Sequence, residues 1–178
     1  MYPEILKFWF EESQPAQWWK KDENFDRAII ARFSDAHRRA ACCELFEWRK
    51  DPRGRLAEII VLDQFSRNMF RGLPQSFAHD ALALALAQEA VSVGADQALN
   101  AVERSFLYMP YMHSESLEIH AVAVELFRRN GIPGNLEFEL KHKAIIERFG
   151  RYPHRNGILG RASTPEEIEF LKQPGSGF

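Results

Sequence analysis

Three groups of polar residues in this sequence have the types and spacings that acid–base or anion-binding chemistry requires. The first lies in LAEIIVLDQFSRNMFR, residues 56–71. Stepping about 100° per residue along a helix brings Leu56, Ile60, Asp63, Arg67 and Arg71 onto one stripe, with Gln64 and Asn68 at its edge. Val61, Leu62, Phe65 and Met69 fill the opposite side, and Ile59 and Phe70 flank the stripe. A helix that is apolar nearly all round is buried. The charges therefore face an interior or a cleft, where they need partners. Asp63 and Arg67 are an i,i+4 pair. Arg71 is left over and needs a carboxylate from another helix or an anion from solution.

The second group is YMHSESLEIH, residues 111–120. It follows Pro110, where a helix should end or kink. Ser114 or Ser116 can cap the next helix, which puts Glu115 in a first turn where the helix dipole favours a carboxylate. His113 has no such structural explanation. His120 falls on the apolar face of its own helix, between Val124 and Phe127. Further on, His142 lies within an inward stripe formed by Phe138, Ile145 and Phe149, with Glu139, Lys141, Lys143 and Glu147 outside it. A histidine there needs a hydrogen-bond partner whether it is structural or functional.

The third group is RFGRYPHRNGILGR, residues 148–161, with four arginines, one histidine and no acid. Gly150, Gly157 and Gly160 permit tight turns, and Asn156-Gly157 is a strong turn pair. Arg151, His154, Arg155 and Arg161 can thus converge. Guanidinium groups grip carboxylate or phosphate in bidentate fashion; the competing role for each arginine is to tie down its own loop through carbonyls and buried acids.

From these groups, the acid–base candidates are Asp63, His113, Glu115, His142 and His154. The candidates for holding an anion are Gln64, Arg67, Asn68, Arg71, Arg151, Arg155, Asn156 and Arg161. No metal and no cofactor is implied. The sequence has no H-E-x-x-H, no E-x-x-H pair, no P-loop and no G-x-S-x-G. His113 and His120 would stand about 10 Å apart on one helix. Trp18 and Trp19, beside Phe25, are either a small aromatic core under a loop or a binding platform.

The elements that must position these residues read as helices throughout. PEILKFWFEE opens with a proline suited to a first turn. Asp22 is a cap for residues 23–41, CCELFEWRK forms a short helix, and Asp51-Pro52 starts the helix that carries Asp63. FAHDALALALAQEAVSV follows, then AVERSFLYM capped by Asn100. SESLEIHAVAVELFRRN stops at Gly131, and LEFELKHKAIIERF, capped by Asn135, stops at Gly150. STPEEIEFL has capping-box spacing at Thr164 and Glu167. With no convincing strand alternation, about eight helices with short connections give an all-α domain of antiparallel pairs.

The whole sequence sets the scale. Its 178 residues suit one domain, residues 1–178, with 172–178 a flexible C-terminal tail. A chain of this length can bury roughly 70% of its unfolded surface without a disulfide or metal. The net charge of -2 argues against nucleic acid or a membrane surface as partner. No apolar run approaches the roughly 20 residues that span a bilayer. The two cysteines, Cys42 and Cys43, are adjacent and suit a reducing, cytoplasmic setting.

VLDQFSRNMFRG, SFAHDALALALA, FLYMPYMHSE and IIERFGRYPHRNGILGRASTPEEIEFL together resemble an uncharacterised bacterial family, domain of unknown function 924, from about Trp18 to Phe178. The resemblance implies an all-helical, tetratricopeptide-like right-handed array. The matching residues are Asp63–Phe65, Arg67, Asn68, Arg71, Gly72, His113–Glu115, His142, Phe149–Arg151, Pro153–Asn156, Gly160 and Arg161. Ser66 stands where the family often has proline, Tyr152 where phenylalanine is usual and His120 where glutamine is common.

The family brings no established reaction. Two functions therefore stand side by side: a helical protein whose internal cleft binds a small anion, phosphate or carboxylate, with catalysis open, or an interaction scaffold for a protein or peptide. In the second case the polar motifs are a structural ion network. Oligomeric state is not specified by the sequence.

Overall fold

The computed structural model describes residues 1–177 and is all-helical. The α-helices are α1 (Tyr2–Lys7), α2 (Glu23–Ala41), α3 (Pro52–Ile60), α4 (Ser66–Met69), α5 (Asp80–Ser92), α6 (Ala101–Met112), α7 (Leu117–Asn130), α8 (Pro133–Phe149) and α9 (Pro165–Leu171). A π-helical segment, Val61–Phe65, joins α3 to α4, with helical backbone angles at both junctions. Residues 52–69 are therefore one rod with a widened turn in its middle. Among the described residues no helix is long and apolar enough to cross a membrane.

Local sequence signals account for most helix starts. Asp22 accepts hydrogen bonds from the backbone N–H of Asn24 and Phe25, and Asp51 from those of Arg53 and Gly54. Asn100 with Glu103, and Thr164 with Glu167, form capping boxes. Two starts differ from expectation. α8 begins at Pro133 rather than after Asn135, because proline at the first helical position is already set for helix and has no N–H to satisfy. Glu115 lies before α7 rather than in its first turn. CCELFEWRK forms turns followed by a 3₁₀ segment, Phe46–Lys50, rather than an α-helix, with Cys43 at φ 57°. Pro110 sits inside α6, which continues to Met112.

The core forms where α1, α2, the α3–α4 rod, α5 and α6 meet. Trp9, Phe65 and Ile29 are fully or almost fully buried. Phe65 stacks on Phe33 at 5.2 Å between centroids and tilts against Trp9 at 5.6 Å. Phe106 meets Trp9 edge-on. Such aromatic pairs add to the burial of their area. They fix the π-helical segment of the rod from one side, and Asp63 rides on that segment.

A smaller cluster of Ile145, Ile146 and Tyr152 packs with Phe149 and Phe170, joining α8 to the loop that follows it and to α9. Of the expected 172–178 tail, residue 178 lies outside the described residues. Ser176 is buried, and its hydroxyl donates to the Leu171 carbonyl at 3.1 Å.

Candidate functional site

The widened turn at Val61–Phe65 presents Asp63 and Gln64 side by side. π-turns inside α-helices are frequent at functional sites. Asp63 is completely buried. Its Oδ1 accepts from His113 Nδ1 at 2.7 Å and from Arg67 Nη1 at 3.1 Å, and its Oδ2 accepts from Gln64 Nε2 at 2.6 Å. Burial pushes the Asp63 carboxyl upward. The charge of Arg67, with hydrogen bonds from His113 and Gln64, outweighs it and holds the group well below the usual carboxylate range.

For His113 the balance is reversed. Burial and the charge of Arg67 lower its pKa more than Asp63 raises it. His113 is therefore a neutral imidazole with Nδ1–H fixed on Asp63, an arrangement that leaves Nε2 as the ring's basic nitrogen.

Arg67 is held on two sides. Besides Asp63, its Nη1 and Nη2 donate to the two carboxylate oxygens of Asp80, both at 2.9 Å. Asp80 opens α5 and also accepts from Arg155 Nη1 at 3.2 Å. Arg155 Nη2 donates to the His113 carbonyl at 3.0 Å. The Arg155 guanidinium lies 4.6 Å from the Phe77 ring centroid and 4.7 Å from that of Tyr152, so cation–π contacts support its plane. Its Nε is buried with no hydrogen-bond partner among the described residues. Arg71 is bound through Nε and Nη2 to Asp26, at 2.8 and 2.9 Å, and Asn68 donates to the same carboxylate at 2.8 Å.

Several of these residues border a cavity of about 580 Å³. Gln64, Arg67, Asn68 and Arg71 come from the rod, His113 from the end of α6, His142 from α8, and Tyr152, His154 and Arg155 from the loop after it. Lys20, Phe77, Met109, Met112, Phe138, Ile158 and both Trp18 and Trp19 complete the main surfaces. His142 donates Nδ1–H to the Phe138 carbonyl at 2.7 Å, and burial brings its pKa down to about 3. Burial, with the charges of Arg155 and Arg67, brings His154 down to about 4. Both are neutral at pH 7.

The other sequence candidates lie off this cavity. Arg161 grips Glu115 with two hydrogen bonds, at 2.7 and 2.9 Å, and Glu115 also accepts the Tyr152 N–H at 2.7 Å. Arg151 makes a bidentate pair with Glu167 at 2.7 and 2.8 Å. Asn156 is buried, accepts from Arg161 and donates to Ser163 and Glu167. Arg148 pairs with Glu166. The basic run thus splits: Arg155 and His154 reach the cavity, and the others clamp their own loop to α9 and to the segment before α7.

The expected shortage of carboxylates is corrected by these pairs. Arg71 and every arginine of the run have an acidic partner, because Asp26, Asp80, Glu115 and Glu167 arrive from distant parts of the chain. A second correction concerns α8. Phe138 is 52% exposed at the cavity, whereas Glu139 is fully buried with Oε1 at 2.7 Å from His120 Nδ1. The polar partner His120 on α7 turns that face of α8 inward at Glu139. Burial raises the Glu139 carboxyl against the opposing pull of His120.

The partners that sequence reasoning missed carried weak signals. Asp26 shares a helix face with Ile29 and Phe33, at i, i+3 and i+7, and so was placed to be buried. Asp80 sits one residue after His79 at the start of a helix, a position that a first-turn carboxylate occupies for local reasons alone. Among the described residues no group of three or more histidine, cysteine, aspartate or glutamate side chains is arranged to hold a metal ion.

None of the curated proteins matches the chain. The structure of a protein of unknown function from Agrobacterium tumefaciens is similar to it, with 41% sequence identity, a TM-score of 0.92 and coverage of 97% of both chains. A family of bacterial proteins of unknown function, DUF924, matches residues 5–175, and the chain belongs to that family.

Proposed function

We propose that the cavity binds a small organic anion and that the Asp63–His113 pair exchanges a proton with it. The observation that carries this reading is the sign of the wall. Lys20, Arg67, Arg71 and Arg155 line the cavity, and no carboxylate does among the described residues. The aspartates that partner these arginines are not part of the wall. Bidentate pairing with Asp26 leaves Arg71 with Nη1 uncommitted. Guanidinium N–H groups of that kind are ready donors to a carboxylate or phosphate oxygen. The volume, about 580 Å³, is in the range of small-molecule sites.

His113 supports the second part. Its Nδ1–H is fixed by a buried carboxylate, the arrangement that orients an imidazole as a base. A cytoplasmic setting, where small organic anions are abundant ligands, belongs to the same reading, and the free exposed thiols of Cys42 and Cys43 support it.

Thermal-shift measurements against short carboxylates and phosphate monoesters at constant ionic strength test the reading. Stabilisation by at least one of them, lost in Arg71→Gln, is expected. Equal stabilisation of wild type and Arg71→Gln, or none by any anion, contradicts it.

A further inference from the structure

Small inorganic anions leave most of this cavity unfilled, and the unfilled part is apolar. The same wall carries Trp18, Trp19, Met109, Met112, Phe138 and Ile158. Phe138 and Trp19 are 52% and 60% exposed, so two large apolar side chains stand in water at this one site. Trp19 is nevertheless held in place, stacked on the buried Phe106 ring at 5.8 Å and 8°. Trp18 is fixed by its Nε1–H, which donates to the Trp9 carbonyl at 2.9 Å. The aromatic part of the wall is therefore built before any ligand arrives. Met109 and Met112 contribute adaptable surface that fits bodies of differing shape.

The charge balance narrows the head group. Three arginines of the wall, Arg67, Arg71 and Arg155, pair with three aspartates, Asp26, Asp63 and Asp80, and the exposed Lys20 adds a fourth cation. One positive charge is left over. The three histidines of the wall are neutral at pH 7 and add none. The complement of such a site is a monoanion.

Resting on the anion-binding reading above, we infer that the ligand is an amphipathic monocarboxylate. Its carboxylate meets the Arg71–Arg155 side, and an apolar body of medium acyl or fused-ring size lies against Met109, Met112, Phe138 and the two tryptophans. The two bodies share the chemistry the wall recognises.

Calorimetric titration of the intact protein with acetate, butanoate, hexanoate, octanoate, 2-naphthoate, octanamide and inorganic phosphate tests this. Affinity is expected to rise about threefold to fourfold per methylene from butanoate to octanoate, as apolar burial dictates. Octanamide should bind at least tenfold more weakly than octanoate, and phosphate more weakly still. Comparison of octanoate with 2-naphthoate shows which body the cavity prefers.

Phe138→Ala, at an exposed position where folding is not at stake, should weaken octanoate about tenfold and leave acetate unchanged. Affinity that is flat with chain length, with Arg71-dependent binding of acetate or phosphate, overturns the inference and leaves the anion-binding reading standing. Octanamide binding as tightly as octanoate overturns both, and so does the absence of binding by every probe.

Discussion

His113 Nδ1 and Asp63 Oδ1 stand 2.7 Å apart, joining the end of one helix to the widened turn of another across fifty residues of sequence. Asp63 also anchors Arg67, so one buried carboxylate sets the position of a base and of a cation.

Asp63→Asn keeps the shape of that anchor and removes its charge. Breaking a buried pair from one side leaves the other charge uncompensated, and a loss of about 3–5 kcal/mol in urea-unfolding stability is expected. The same change removes the main influence that holds the His113 pKa up. The His113 ring should then titrate lower than in wild type by NMR. An unchanged or higher value contradicts the pairing.

Acid should destabilise the fold well above the carboxylate range. Burial lowers His37 and His154 to about 4 and His142 to about 3, against an ordinary value of 6.5. The unfolded chain takes up protons below pH 6.5, and the folded chain does not until far lower. The stability held above pH 6.5 is therefore lost as pH falls towards 4, by about 1.4 kcal/mol per pH unit for each histidine. Urea midpoints measured from pH 7.5 to 4.5 should fall on this slope. His37→Asn should make the slope shallower.

The loop clamp and the cavity wall should separate by mutation. Arg161→Ala removes both hydrogen bonds to Glu115, at a site off the cavity. A stability loss of about 1–3 kcal/mol is expected, with anion binding unchanged. Arg71→Gln also strips Asp26 of two hydrogen bonds, and it should differ from Arg161→Ala by abolishing ligand-induced stabilisation. Differential scanning fluorimetry with and without octanoate reads both.

Gly54 is set by space rather than by backbone angle. A Cβ there would overlap the Trp48 carbonyl, which is backbone and cannot turn aside. Gly54→Ala should cost about 1–3 kcal/mol, as overpacking does. Urea unfolding measures it, and a change below half a kilocalorie per mole would show that the 3₁₀ segment moves freely.

The all-helical class was legible because the signals are local. The caps at Asp22, Asp51, Asn100 and Thr164 act within three residues of themselves. The stripe through Asp63 and Arg67 was legible for the same reason. The π-turn was not, because its hydrogen-bond shift leaves no mark in a 3.6-residue pattern. Nor were the partners of the arginines. A run such as Arg148–Arg161 looks unpaired when only its neighbours in sequence are considered, and Glu115, Asp80 and Glu167 meet it only after the helices pack. Glu139 and Phe138 exchanged their expected sides for a similar reason, since His120 on the facing helix decided which of them went inward.

The central claim is that the cationic and aromatic sides of one cavity hold a single organic anion. A crystal structure of the protein grown with octanoate or 2-naphthoate tests it most directly. The account predicts a carboxylate within hydrogen-bonding distance of Arg71 or Arg155, with the apolar body against Met109, Met112 and Phe138. A ligand bound elsewhere, or a cavity holding only water at saturating ligand, would contradict it.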